Sequence, residues 1–161
     1  MYFAGQDTVS LARQYGTPLY LMDEDKIREK CRIYMESFRA YFPEGSRPLY
    51  ASKACSFKQI YRIMQDMGMG IDVVSPGEIY TAKEAGFDLS AAYFHGNNKT
   101  DADIAFAMDT GVGYMVADNL EEIRAIERLA SERACVQKVL LRITPGIDPH
   151  TYDAVSRSEE R

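Results

Sequence analysis

The chain has 161 residues, 46% hydrophobic and 27% charged, with a formal net charge of −5. This is the balance of an ordinary globular protein long enough to bury a core. The lack of a basic block argues against nucleic acid as a partner, and the lack of a run of about 18 apolar residues argues against a membrane span. Met1 to Ser10 lack the basic and apolar regions of a signal peptide. Cys31, Cys55 and Cys135 are odd in number and far apart. They fit neither a disulfide framework nor a metal knuckle, which points to a reducing cytoplasm. His95 and His150 are the only histidines, so no metal site is expected.

In chain order, residues 1–16 are polar and mixed, with Val9, Leu11 and Ala12 as weak apolar anchors. Gly16-Thr17-Pro18 signals a turn, and Leu19-Tyr20-Leu21-Met22 reads as a short strand. Asp23 and Asp25 are placed to cap a helix in which Ile27, Cys31, Tyr34, Met35, Phe38, Tyr41 and Phe42 recur at steps of three and four. Pro43-Glu44-Gly45 ends it. A different rhythm then begins. Leu49-Tyr50-Ala51-Ser52-Lys53-Ala54 reads as an apolar strand that delivers one lysine at its end. A helix with Phe57, Ile60, Ile63, Met64 and Met67 on one face follows, stopped by Gly68 and Gly70.

Ile71–Val74 is the next strand, and Ser75-Pro76-Gly77-Glu78 has the capping-box pattern with proline in the first turn. Ala91–Phe94 is a third strand, followed by His95-Gly96-Asn97-Asn98-Lys99 and a helix capped by Thr100. Tyr114–Ala117 is a fourth, with a helix starting at Asn119. Val139–Ile143 is a fifth, closed by Thr144-Pro145-Gly146. Five strands alternate with four helices at intervals of about 22 residues. This alternation implies a parallel sheet, either doubly wound or a barrel. Gly68-Met69-Gly70 precedes a strand instead of opening a helix, so no dinucleotide fingerprint is present. A closed barrel takes eight such units and about 250 residues. The expected fold class is therefore α/β, an incomplete parallel (β/α)8 barrel of about five units, read as the amino-terminal piece of a larger protein.

Polar residues gather at the strand ends. Lys53 ends the first strand of the series and Asp72 lies in the second. His95 and Asn97 follow the third, Asp118 and Asn119 the fourth, and Arg142 lies near the end of the fifth. In a barrel these ends share one mouth. Each also has a plainer reading. Lys53 reaches solvent or a carboxylate, Asp72 caps or pairs with a cation, His95 is a satisfied core histidine, Asn119 is a helix cap, and Arg142 binds a neighbouring carboxylate. Taken together, a lysine with an acid and a histidine suggests Schiff-base chemistry. One form is an aldolase-type attack on a substrate carbonyl, and the other is retention of a pyridoxal phosphate aldehyde. Composition leaves both open.

Tyr50-Ala51-Ser52-Lys53-Ala54 resembles the cofactor-lysine motif of diaminopimelate decarboxylases, in the alanine-racemase-like barrel class of pyridoxal phosphate enzymes. Further segments resemble that family in order. Thr17-Pro18-Leu19-Tyr20 with Met22-Asp23 is similar to its opening strand, Asp72–Glu78 to its D-V-x-S-x-G-E and Phe94–Lys99 to its F-H-G-N-N-K. Arg142–Asp148 with Thr151 is similar to its R-x-N/T-P-G-x-x-x-H-T. The resemblance runs from about Gly16 to Tyr152, nearly the whole chain. It implies pyridoxal 5'-phosphate as cofactor, Lys53 as the catalytic lysine, and Asp72, His95 and Arg142 beside Lys53 in cofactor binding.

The implied reaction is decarboxylation of meso-diaminopimelate to lysine, on a small-molecule amino acid substrate, with a homodimer for the full-length enzyme. The implied organisation assigns residues 1–25 to a β-domain, 26–155 to a partial barrel that binds pyridoxal phosphate, and 156–161 to an off-pattern tail. Family segments beyond this chain are an H-x-G-S, a Gly-rich loop, a cysteine-bearing loop from a second subunit and an E-P-G-R. The expectation is therefore weak cofactor binding and no turnover by the chain alone, together with an exposed sheet edge. Alternatives are an ornithine, arginine or carboxynorspermidine decarboxylase, a non-catalytic pyridoxal phosphate carrier or regulatory homologue, and, more remotely, a metal-dependent barrel hydrolase.

Overall fold

The structure, a computed structural model, describes residues 1–143. Thr144-Pro145-Gly146, His150, Thr151 and the tail 156–161 lie outside the described residues. A short hairpin, β1 (Tyr2–Phe3) and β2 (Gln6–Asp7), leads into helix α1 (Thr8–Tyr15). Asp7 starts this helix by accepting the Ser10 N–H at 3.2 Å. The weak apolar anchors gave little sign of it, and α1 contains no buried residue. The strand expected at Leu19–Met22 is absent. No neighbouring strand takes up its backbone donors and acceptors among the described residues, and Tyr20 is 96% exposed.

Helix α2 (Glu24–Tyr41) follows, with the Asp23 carboxylate accepting the Lys26 N–H at 3.1 Å. The repeating part comprises β3 (Leu49–Ala51), α3 (Lys58–Asp66), β4 (Gly70–Val73), α4 (Pro76–Ala85), β5 (Ala92–Phe94), α5 (Asp101–Thr110), β6 (Tyr114–Ala117), α6 (Leu120–Glu132) and β7 (Lys138–Leu141). All five strands are parallel and lie in the order of the chain, β3-β4-β5-β6-β7. A doubly wound sheet reverses its strand order partway. A strictly sequential order with right-handed crossovers keeps every helix on one face, which is the arrangement of a barrel wall. Neighbouring helices pack in the same order, α3 on α4, α4 on α5 and α5 on α6.

Side chains alternate accordingly. Ile71 and Val73 of β4, Phe94 of β5 and Met115 of β6 are buried with Ile63, Met64, Ile79 and Ile104 from the helices. Each side chain of this size removed from water contributes about 1.5–3 kcal/mol. The intervening positions form a row across the other face. Ala51 lies beside Asp72, Asp72 beside Tyr93, Tyr93 beside Tyr114, and Tyr114 beside Lys138. The Tyr93 and Tyr114 rings stack with centroids 4.4 Å apart, and the Lys138 ammonium lies 5.1 Å from the Tyr114 centroid.

Helices α4, α5 and α6 each start at a side-chain cap. The Ser75 hydroxyl accepts the Glu78 N–H at 3.3 Å. Thr100 and Asp103 make a reciprocal capping box, and the Asn119 side-chain Oδ1 accepts the Glu122 N–H at 2.8 Å. At Ser75 the box is opened by one residue, because Glu78 reaches back to the Val74 N–H at 2.7 Å instead of that of Ser75. Between α2 and the β3 edge lies an apolar groove of about 450 Å³, lined by Met22, Ile27, Cys31, Tyr34, Met64 and Met69 among others. Among the described residues, no helix is long and apolar enough to cross a membrane.

Candidate active site

Lys53 sits one turn further along than the sequence suggests. The strand stops at Ala51, and Ser52–Ala54 form a 3₁₀ turn closed by the Cys55 N–H on the Ser52 carbonyl at 3.1 Å. The turn buries Ser52 completely and leaves Lys53 exposed. The Lys53 ammonium makes no ion pair with any described residue. Beneath the turn, the Tyr61 hydroxyl approaches both Ser52 and Ser56. Only with Ser56, at 2.9 Å, does the approach have hydrogen-bond geometry, so the buried Ser52 Oγ has no partner. Burial pushes the Tyr61 phenol up, against the opposing pull of these hydroxyls. The neighbouring Tyr50 hydroxyl donates to the Cys55 carbonyl at 2.8 Å and is pushed up to about 12, chiefly by burial.

Asp72 projects from β4 beside Ala51, so the strand register alone brings its carboxylate near the lysine turn. His95 follows β5, held by its own N–H on the Val73 carbonyl at 2.8 Å. Its Nε2 lies 3.7 Å from Asp72 Oδ1. Burial raises the Asp72 carboxyl above the ordinary carboxylate range, and the positive charges of His95 and Lys53 oppose that rise. Asp72 Oδ1 is buried and makes no hydrogen bond. Glu78, behind Asp72, is also raised by burial, partly offset by the Val74 N–H it accepts.

Lys53, Asp72 and His95 are thus brought together. Arg142 is elsewhere on the same rim. Its N–H donates to the Ala117 carbonyl at 2.9 Å, continuing the β6–β7 ladder. Its Nη1 reaches both oxygens of Asp118 at 3.2 Å. The plain reading of Arg142 and that of Asn119 as a helix cap therefore hold. Asn97 is exposed. The sequence gives no direct sign of the Lys99–Glu122 contact, a 2.6 Å ion pair with side chains 3% and 5% exposed. Lysine four positions after a strand-end histidine is the one signal that pointed there.

An exposed primary amine, a buried carboxylate oxygen with no partner and an imidazole fit a polar aldehyde cofactor. The amine is available to the aldehyde, and the orphaned Asp72 Oδ1 leaves polar capacity unused on the lysine's side of the sheet.

The chain is similar to known proteins over nearly all of its length. The chain is 40% identical over 158 residues to a diaminopimelate decarboxylase of Halalkalibacterium halodurans, covering 97% of this chain and 35% of that protein. The crystal structure of diaminopimelate decarboxylase from M. jannaschii in co-complex with L-lysine superposes with a TM-score of 0.81 at 32% identity, over 96% of this chain and 36% of that one. The Helicobacter pylori diaminopimelate decarboxylase complexed with L-lysine superposes with a TM-score of 0.80 at 27% identity, over 92% and 37%. The chain spans about a third of the length of the curated relatives it matches. Residues 24–161 match the family described as pyridoxal-dependent decarboxylase, pyridoxal binding domain. A sequential parallel wall with a free lysine at its rim is thereby joined to a match over most of the chain, and the chain belongs to the pyridoxal-dependent decarboxylases.

Proposed function

We propose that this chain supplies the cofactor lysine and part of the cofactor-binding rim of a pyridoxal-phosphate-dependent carboxy-lyase that converts meso-diaminopimelate to lysine. The observation that carries the reading is the exposed Lys53 amine on the turn after β3, with the Asp72–His95 pair beside it. In this role Lys53 holds the cofactor through its amine. Asp72 and His95 flank the amine and set the local charge. Arg142, fixed by Asp118, adds a cation at the far end of the rim. Bound pyridoxal phosphate supplies an electron sink for the charge left when a carboxylate departs as carbon dioxide. The turn beneath Lys53 keeps the lysine backbone rigid while its amine stays accessible.

The substrate assignment is supported by the names of the relatives and by the two neighbours complexed with L-lysine, the product of removing one carboxylate from meso-diaminopimelate. The proposed organisation places residues 1–25 against a β-domain and residues 26–155 in the barrel. Exposure of Tyr2, Tyr15 and Tyr20 supports a segment shaped to pack on further structure. The whole enzyme is proposed to be a homodimer working in the cytoplasm, where free thiols such as Cys31, Cys55 and Cys135 persist.

Incubation with pyridoxal phosphate, borohydride reduction and peptide mass spectrometry test this reading. A phosphopyridoxyl group on Lys53 at sub-millimolar cofactor, lost in Lys53→Ala, is the expected result. Label spread evenly over exposed lysines such as Lys26, Lys58 and Lys83 overturns the reading.

A further inference from the structure

The most deeply buried opposite charges in the described structure lie outside the residues proposed above to meet the cofactor. The Lys99 Nζ is 2.6 Å from Glu122 Oε1, and it donates to the carbonyls of Gly96 at 2.5 Å and Val116 at 2.9 Å. Two of the three ammonium donors are thereby used, while Glu122 Oε1 meets the ammonium as an ion pair and accepts no hydrogen bond. The ammonium also lies 5.4 Å from the centroid of the Phe94 ring. Glu122 Oε2 accepts the Asp118 N–H at 3.3 Å, and the Asp118 carboxylate holds Arg142.

A buried ion pair seldom adds net stability over an apolar pair of the same shape, so stability alone gives little reason for this one. Its partners explain it better. They come from three places: the loop that follows His95, the end of β6 and the first turn of α6. Gly96, next to His95, has a φ of +125°, a conformation side-chain-bearing residues rarely adopt. Lys99 grips the carbonyl of that glycine.

We infer that Lys99 and Glu122 are positioning residues: their buried pair locks the loop that presents His95 to Asp72, and through Asp118 it ties that loop to Arg142. The inference rests on the proposed roles of His95 and Arg142. The loop and the arginine are then two ends of one brace, so disturbing its middle disturbs both.

Removing one partner strands a charge and risks unfolding, so the test uses the double variant Lys99→Met/Glu122→Leu, with Glu122→Gln as a milder second variant. Residue-resolved amide hydrogen exchange is measured on the full chain. In the double variant, the His95 and Thr100 amides are expected to exchange about tenfold faster or more, while β4 and β6 amides keep their protection. Glu122→Gln is expected to give the same pattern at about threefold. The cofactor concentration for half-maximal reductive labelling of Lys53 is expected to rise about tenfold in the double variant. Unchanged loop exchange, or equal acceleration throughout β4 and β6, overturns the inference. Failure of Lys53 to label in the unmodified chain overturns the proposed function instead, and loop exchange then decides the inference alone.

Discussion

Asp72 shows how one register position sets the chemistry of the rim. Its carboxyl is half-buried, with Oδ1 buried and unpaired, and His95 and Lys53 only partly offset the cost. The folded-state affinity for a proton is therefore above that of the unfolded chain, whose carboxyl titrates near the ordinary value of about 3.9. Below that value both states are protonated, and the stabilising effect of the neutral carboxyl is fully present. It is lost as pH rises through the higher folded-state value, because the folded protein must then hold a half-buried charge. Asp72→Asn is expected to melt at a higher temperature than the wild type near about pH 7, with the difference closing toward about pH 3. Thermal melts across that range check it, and a difference independent of pH refutes it. The position of Asp72 in a strand was legible from Ile71-Asp72-Val73-Val74. Its pairing was not, because His95 reaches it only through the β4–β5 register.

At the scale of elements, the helix starts were the most legible feature. Ser75, Thr100 and Asn119 each accept a backbone N–H from three residues on, as their position before an apolar run suggests. Thr100→Ala is expected to cost about 1 kcal/mol in urea unfolding, since it removes the hydroxyl that accepts the Asp103 N–H and leaves only the Asp103 carboxylate on the backbone N–H of residue 100. A change within error refutes the capping account. Local sequence does not reveal which distant side chain a loop lysine meets. Lys99 and Glu122 sit in different βα units, and only the sequential strand order brings them together. Lys99→Met alone is expected to cost about 3–5 kcal/mol, and much less when Glu122→Leu is added. The same limit applies to Lys53. The run Leu49–Ala54 reads as continuous strand, yet the backbone turns at Ser52, whose side chain goes into the core and lets the lysine face outward.

For the whole molecule, the five-strand wall was legible from alternation, and its helices' shared face followed from topology. What the wall leaves uncovered matters to the behaviour of the 161-residue chain by itself. Among the described residues, β3 and β7 each have one edge without a neighbour. Around β7, Val136, Leu140, Leu141 and Ile143 are 98%, 45%, 63% and 78% exposed, and the groove beside β3 is almost wholly apolar. Unpaired backbone next to apolar side chains is a template for another strand. Relatives about three times as long contain further chain that this one does not. The isolated chain is therefore expected to self-associate, seen as a sedimentation coefficient that climbs with concentration. Lysine on an edge strand opposes such pairing by forcing a charge to be desolvated. Leu140→Lys is accordingly expected to shift the distribution toward monomer without changing the melting of the helix-covered face. A concentration-independent monomer for the unmodified chain contradicts this account. Self-association untouched by Leu140→Lys transfers it from the β7 edge to the apolar groove between α2 and β3.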